Sequence, residues 1–169
     1  MQRASIQQRP ARFAGETAVP PRHEDALAVL AAARTVVEHG WVQHRWYTLQ
    51  AAPGGRRRRF GGIVPLARPD HSRVVEACLV GAVVHAAWQQ SPRPEHANPA
   101  IDALWRTLFD PEPADADAVG PVSSPPVRAA RVRDLTTWND RRSRTRSDVL
   151  DLIERTAARV AGARPADVA

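Results

Sequence analysis

Apolar side chains recur at three- and four-residue steps in several segments of the chain, and this spacing predicts amphipathic helices. The first stripe covers residues 24–39, and Gly40 follows it at a position that commonly ends a helix. A second stripe, 98–108, begins with Asn-Pro, which is typical of an N-cap followed by a first-turn proline. The last stripe follows Thr145, and Asp148 stands three residues later, as a capping box requires.

Three further segments complete the predicted fold. Residues 73–89 are apolar nearly all round, which predicts a central helix packed on several sides, and 127–138 predict a short helix. Two runs of aromatic and branched residues, 41–50 and 60–66, flank Pro53-Gly54-Gly55 and predict an irregular hairpin. We therefore expect a mainly α (α+β) fold: a compact helical domain of about four to five helices with one short irregular β-hairpin.

The length and composition predict a single domain. The chain has 169 residues, of which 43% are hydrophobic, enough to form one packed core. Residues 1–22 lack apolar periodicity and predict a flexible arm, and 163–169 predict a tail. Between them we expect one globular domain, 23–162, interrupted by an internal loop of proline and acidic residues at 110–126.

The sequence lacks the motifs that several classes of protein require. Cys78 is the single cysteine, so no internal disulfide can form, and no Cys/His spacing indicates a metal site or a cofactor. There is no glycine-rich phosphate loop after a strand, no GxSxG and no HExxH. No apolar run is long enough to cross a membrane and the start of the chain lacks a secretory pattern, so we expect a cytoplasmic protein. The oligomeric state stays open.

The formal net charge is +6, which favours an acidic partner. Every basic side chain other than histidine is arginine, however, so part of this charge is also explained by a codon bias. The arginines are concentrated in two runs, a pattern that can bind phosphate but is commonly a solvated surface. The runs are Arg56, Arg57, Arg58 and Arg59, and Arg141, Arg142, Arg144 and Arg146.

Four short motifs lie along the predicted domain: Gly40-Trp41, Cys78-Leu79-Val80-Gly81-Ala82, Trp138-Asn139-Asp140, and Thr145 with Asp148-Val149. Together they resemble a domain-of-unknown-function family common in actinobacteria and their phages. The resemblance spans about residues 24–160 and implies no catalytic role for any residue. The tetra-arginine run and the proline-acid loop depart from the compact form of that family.

Cys78 has two interpretations. Near the start of a helix, the macrodipole and free N–H groups can lower the pKa of a thiol and make it nucleophilic. A small cysteine among Ala77, Leu79 and Val80 is more commonly an inert core residue. His85 is two helical turns away, so a catalytic base would have to come from elsewhere.

The Trp138-Asn139-Asp140 motif also has two interpretations. Its polar side chains can form an Asx turn while the indole packs on the core. Alternatively, Asn139 or Asp140 orients a histidine or binds a polar ligand, at a concave site near Cys78 that is lined by Trp41 and Trp138.

Three functions follow from these candidates. The first is a non-catalytic interaction or regulatory module that binds an acidic protein partner through Trp41, Trp46 and the arginine runs. The second is a nucleic-acid-binding accessory protein, whose affinity would fall steeply with salt. The third is a cysteine-dependent enzyme with Cys78 as nucleophile and Asn139 or Asp140 as the orienting group.

Overall fold

A computed structural model describes residues 23–50, 58–60, 73–110 and 123–162 of the chain. Within these ranges the chain forms five α-helices, three short strands and one 3₁₀ turn. In chain order they are α1 (His23–His39), β1 (Tyr47–Leu49), β2 (Arg58–Phe60), β3 (Val74–Ala77), α2 (Leu79–Gln90), the 3₁₀ turn (Pro94–Ala97), α3 (Asn98–Phe109), α4 (Pro125–Asn139) and α5 (Arg146–Gly162). The predicted arm at 1–22 and tail at 163–169 lie outside the described residues.

Helix α1 lies at the centre of the core and confirms the first predicted stripe. Its buried face packs on α2 and α5, and the side chains on that face are Ala26, Val29, Leu30, Ala33 and Val37. Each large apolar side chain that is fully buried contributes about 1.5–3 kcal/mol to folding. Together with the four other described helices, α1 confirms the mainly α architecture expected from the sequence.

The predicted hairpin is present, and a third strand joins it. The sheet order is β2-β1-β3, and both strand pairs are antiparallel. Residues 61–66 of the predicted second strand lie outside the described residues, whereas β2 itself ends at Phe60.

Strand β3 corrects the predicted helix over 73–89. Residues Val74–Ala77 pair with β1, and the helix begins only at Leu79, after Cys78. Apolar periodicity cannot distinguish a buried strand from a buried helix in so short a run, and the β-branched pair Val74-Val75 suits a strand. Backbone pairing with β1 makes this segment a strand.

Two glycines allow these elements to approach closely. A Cβ atom at Gly81 in α2 would collide with the carbonyl oxygen of Trp46, and one at Gly40 would collide with the carbonyl oxygen of Val75. The Trp46 carbonyl also accepts a hydrogen bond from the Cys78 N–H at 3.1 Å. The start of α2 is thus held directly against the segment that leads into β1.

The boundaries of α3 and α4 differ slightly from the prediction. Asn98 is the first residue of α3 rather than its N-cap, because the 3₁₀ turn runs directly into the helix and Ala97 takes the cap position. Helix α4 begins at Pro125, so the predicted loop at 110–126 ends two residues too late. Residues 111–122 of that loop lie outside the described residues.

The capping box of α5 is confirmed. Thr145 Oγ1 accepts from the Asp148 N–H at 3.2 Å, and Asp148 Oδ2 accepts from the Thr145 N–H at 2.8 Å. The Thr145 N–H, and after it the Thr145 hydroxyl, which donates to Asp148 Oδ2 at 3.0 Å, hold the pKa of the Asp148 carboxyl below its ordinary value. Among the described helices, none is long and apolar enough to span a bilayer.

Candidate functional site

The fully buried side chain of Asn139 connects three parts of the fold. Its Oδ1 atom accepts from Trp41 Nε1 at 2.9 Å and from the Leu79 N–H at 3.1 Å. Its Nδ2 atom donates to the Val42 carbonyl oxygen at 3.3 Å and to Asp140 Oδ1 at 2.9 Å. All four hydrogen-bonding positions of the amide are therefore occupied. Asn139 fixes the end of α4 against the start of α2 and the segment after α1, which is a structural role.

The segment between α1 and β1 is held to the end of α4 by further hydrogen bonds. Gln43 Nε2 donates to the carbonyl oxygens of Asn139 at 2.9 Å and Arg141 at 2.8 Å. The His44 N–H donates to Asp140 Oδ1 at 2.8 Å. His44 has a φ of 61°, in the left-handed region that most L-residues avoid. The bonds around it keep the backbone in this strained conformation.

Cys78 has the environment of a core residue. It is buried, it occupies the N-cap of α2, and its Sγ atom accepts from the Gly81 N–H at 3.3 Å. Burial raises the pKa of the Cys78 thiol to about 12, and this effect outweighs the lowering by hydrogen bonds at the helix start. The lowered pKa considered from the sequence is therefore wrong in direction.

Trp41 and Trp138 are also engaged in the structure. Trp41 donates to Asn139 as described, and Trp138 is buried with the Arg144 guanidinium 3.9 Å from its ring centroid. Such a cation–π contact stabilises the helix end. Both indoles therefore have partners within the fold.

A cleft of about 870 Å³ lies next to this hydrogen-bonded junction, between α2, α4, the start of α3 and the segment before β1. We call it the α2–α4 cleft. Its apolar lining consists of Trp46, Val80, Val84, Trp88, Ala97, Ile101, Pro125, Ala129 and Val132, and its polar lining of His44, Arg45, Glu95, Asn98, Arg128, Arg133, Thr136, Thr137 and Asp140. Trp46 and Trp88 line this cleft, whereas Trp41 and Trp138, which the sequence suggested for a concave site near Cys78, do not.

Charged side chains surround the apolar part of this cleft. Arg45, Arg128 and Arg133 contribute three positive charges, against the two carboxylates of Glu95 and Asp140. Arg128 is positioned through its Nη2 atom, which donates to the carbonyl oxygen of Ser123 at 2.8 Å. The excess of positive charge beside an apolar wall favours a ligand that carries negative charge and some apolar surface.

The second arginine run, Arg141, Arg142, Arg144 and Arg146, does not form this lining. Arg56 and Arg57 lie outside the described residues, and Arg58 and Arg59 belong to β2. Arg141 and Arg142 are exposed beyond the end of α4, and Arg144 lies over Trp138.

The lining residues on α4 were missed by sequence reasoning, although their spacing carried a signal. Arg128, Ala129, Val132, Arg133 and Thr136 recur at three- and four-residue steps, so they share one face of the helix. Because this face mixes arginine with small apolar residues, it does not look like an ordinary core stripe.

Among the described residues, no group of three or more His, Cys, Asp or Glu side chains is arranged to hold a metal ion.

The described residues form a small helical domain with a three-stranded sheet and a cleft that combines apolar and cationic side chains. Residues 21–159 match the family of unknown function DUF6197, and the chain belongs to this family. No curated protein and no solved structure gives a significant match to the chain.

Proposed function

We propose that this protein is a non-catalytic interaction module that binds an acidic segment of a partner protein in the α2–α4 cleft. The observation that carries the proposal is the combination of two tryptophans and three arginines around one apolar cleft. These side chains are Trp46, Trp88, Arg45, Arg128 and Arg133.

The size of the cleft suits a short stretch of a partner chain or a small organic group. Pockets that bind such ligands typically enclose about 300–1,000 Å³ and combine apolar walls with a few polar groups. Tryptophan and arginine are also the side chains most enriched where binding energy is concentrated. Trp46 and Trp88 are both half-buried, so part of each indole is available for contact.

The charge of the cleft selects the kind of partner. Arg133 is exposed and lies on the same face of α4 as the half-buried Arg128, so carboxylates of a ligand can reach both guanidinium groups. A bound acidic side chain would also be shielded from water by the apolar wall that α2 provides through Val80 and Val84.

A selection from displayed random peptides tests the proposal. We expect the recovered peptides to combine aspartate or glutamate with an aromatic or branched residue, and to bind Arg133→Glu at least about tenfold more weakly, because the substitution replaces an attractive charge with one that repels the acidic side chains. Arg142→Glu is the matched control, since Arg142 is equally a surface arginine but lies outside the cleft. Equal losses in both variants, or peptides without acidic residues, would contradict the proposal.

The same variants address the nucleic-acid alternative. Binding of random-sequence DNA or RNA that weakens with salt, and that is lost in Arg142→Glu but not in Arg133→Glu, would favour a nucleic-acid-binding protein.

A further inference from the structure

His44 lies at the polar end of the α2–α4 cleft, beside Asp140. Its Nδ1 atom is 3.7 Å from Asp140 Oδ2, while its own N–H donates to Asp140 Oδ1. The His44 side chain is 68% exposed, so the ring is accessible to a ligand in the cleft. Strained backbone that is held by surrounding bonds is a recognised feature of functional positions.

A hydrogen bond from Asn139 holds Asp140 beside His44. Asp140 Oδ1 accepts from Asn139 Nδ2 at 2.9 Å, and Asn139 is itself fully buried and hydrogen-bonded throughout. The carboxylate therefore stays beside the imidazole whether the imidazole is charged or neutral.

The charge of the pair depends on the protonation of His44. With a neutral imidazole, the pair contributes the single negative charge of Asp140 to the cleft, which repels an acidic ligand. Protonation of His44 cancels this charge and adds an N–H donor. The other charged groups that line the cleft are Arg45 on the same segment, Glu95 on the 3₁₀ turn, and Arg128 and Arg133 on α4.

We infer that His44 and Asp140 form a proton-linked subsite for a carboxylate or another acidic group of the ligand. Acidic ligands bind more tightly when His44 is protonated, so their affinity rises as pH falls. This inference rests on the proposed function, because it concerns the same cleft and the same class of ligand.

An anionic aromatic dye, 8-anilinonaphthalene-1-sulfonate, is a suitable probe because it combines a negative charge with apolar rings. Its binding to the full chain can be measured by energy transfer from the tryptophans, two of which, Trp46 and Trp88, line the cleft. We expect the dissociation constant to fall about fivefold from pH 8 to pH 5.5, the size expected for removing one unit charge about 4 Å away in a site as exposed to water as this one.

Two histidine variants make this test specific. His44→Asn tolerates the left-handed backbone and cannot gain a charge, so its affinity should stay at the high-pH value throughout. His39→Asn is the control, because His39 is an exposed histidine outside the cleft, and it should keep the pH dependence. A pH dependence that survives in His44→Asn would overturn the inference.

The remaining outcomes separate the inference from the proposed function. Dye binding that weakens in Arg133→Glu but is independent of pH would overturn the proton-linked subsite and leave the cleft as a binding site. Failure of the dye to bind at either pH would overturn both.

Discussion

At the scale of single residues, Asn139 is the point where three of the sequence motifs meet. The indole of Trp41, the backbone of Leu79 after Cys78, and Asp140 all bond to its side chain. The sequence predicted that this asparagine forms a local turn or serves a ligand. Trp41 and Leu79 lie 98 and 60 residues away from it along the chain, so no local pattern indicates the role that the structure shows.

Replacing Asn139 tests this role. We expect Asn139→Ala to lower the free energy of unfolding by about 2–4 kcal/mol, because the Trp41 and Leu79 donors then lack an acceptor in a buried position. Denaturant unfolding with an unchanged m-value measures the effect. Gln43→Ala, which removes only part-exposed or exposed bonds, is the control and should cost less. Equal stabilities of Asn139→Ala and the native protein would contradict the assignment.

The buried thiol of Cys78 leads to a prediction about pH. Its pKa is raised from 9.0 to about 12 in the folded chain, chiefly by burial. Above pH 9 the unfolded state loses the thiol proton while the folded state keeps it, so the unfolded state binds fewer protons. The free energy of unfolding should therefore fall as pH rises from about 9 towards 12.

Cys78→Ser isolates this contribution, since serine keeps an N-cap oxygen but does not ionise in this range. The variant should show a smaller loss of stability on raising the pH. Iodoacetamide should label the native thiol only when denaturant is added. Rapid labelling of the folded protein near neutral pH would contradict the core interpretation of Cys78 and favour the cysteine-dependent enzyme.

At the scale of elements, the helices with a regular apolar stripe were predictable and the others were not. Helices α1 and α5 follow their stripes, and α5 also begins at its capping box. Strand β3 was predicted as helix because a run of four residues carries too little periodicity to separate the two structures.

The packing of helix α4 could not be predicted from an apolar stripe alone. Only Leu135, Trp138 and Asn139 are buried along its 15 residues, so polar contacts attach much of the helix to α3. Arg131 Nη1 lies 2.7 Å from Asp102 Oδ1, and Trp105 Nε1 donates to Asp134 Oδ2 at 2.9 Å. These partners come from a different helix, which sequence spacing does not reveal.

The buried ion pair between Asp102 and Arg131 should be strongly coupled to stability. The side chains are only 4% and 14% exposed, and the Arg131 guanidinium also lies 4.8 Å from the centroid of the Trp105 ring. We expect Asp102→Ala to cost about 3–5 kcal/mol, because it leaves a largely buried charge unpaired. The double variant Asp102→Ala/Arg131→Met should recover part of this loss. Strictly additive losses in this cycle, measured by thermal and denaturant unfolding, would contradict the coupling.

At the scale of the whole molecule, the α2–α4 cleft combines residues from four separate segments of the chain. The packing of α2 against α4 brings Trp46, Trp88 and Arg133 into the lining of one cleft. From the sequence we predicted that tryptophan and arginine side chains bind an acidic partner, mainly through the arginine runs; of the predicted residues, Trp46 lines the cleft that we propose as the binding site. Charge runs are conspicuous in a sequence, whereas a binding surface is created by tertiary packing.

The most direct test of binding in the α2–α4 cleft is a substitution that fills the cleft without changing its charge. Ala129 is exposed on α4 and lines the cleft, so Ala129→Trp should block it while the core stays intact. Ala158→Trp, at an exposed position on α5 outside the cleft, is the matched control. Isothermal titration with the selected acidic peptides should show at least about a tenfold loss of affinity for Ala129→Trp, a loss of about 1.4 kcal/mol or more, and none for Ala158→Trp. Equal affinity of the two variants would show that acidic partners bind elsewhere and would contradict the account.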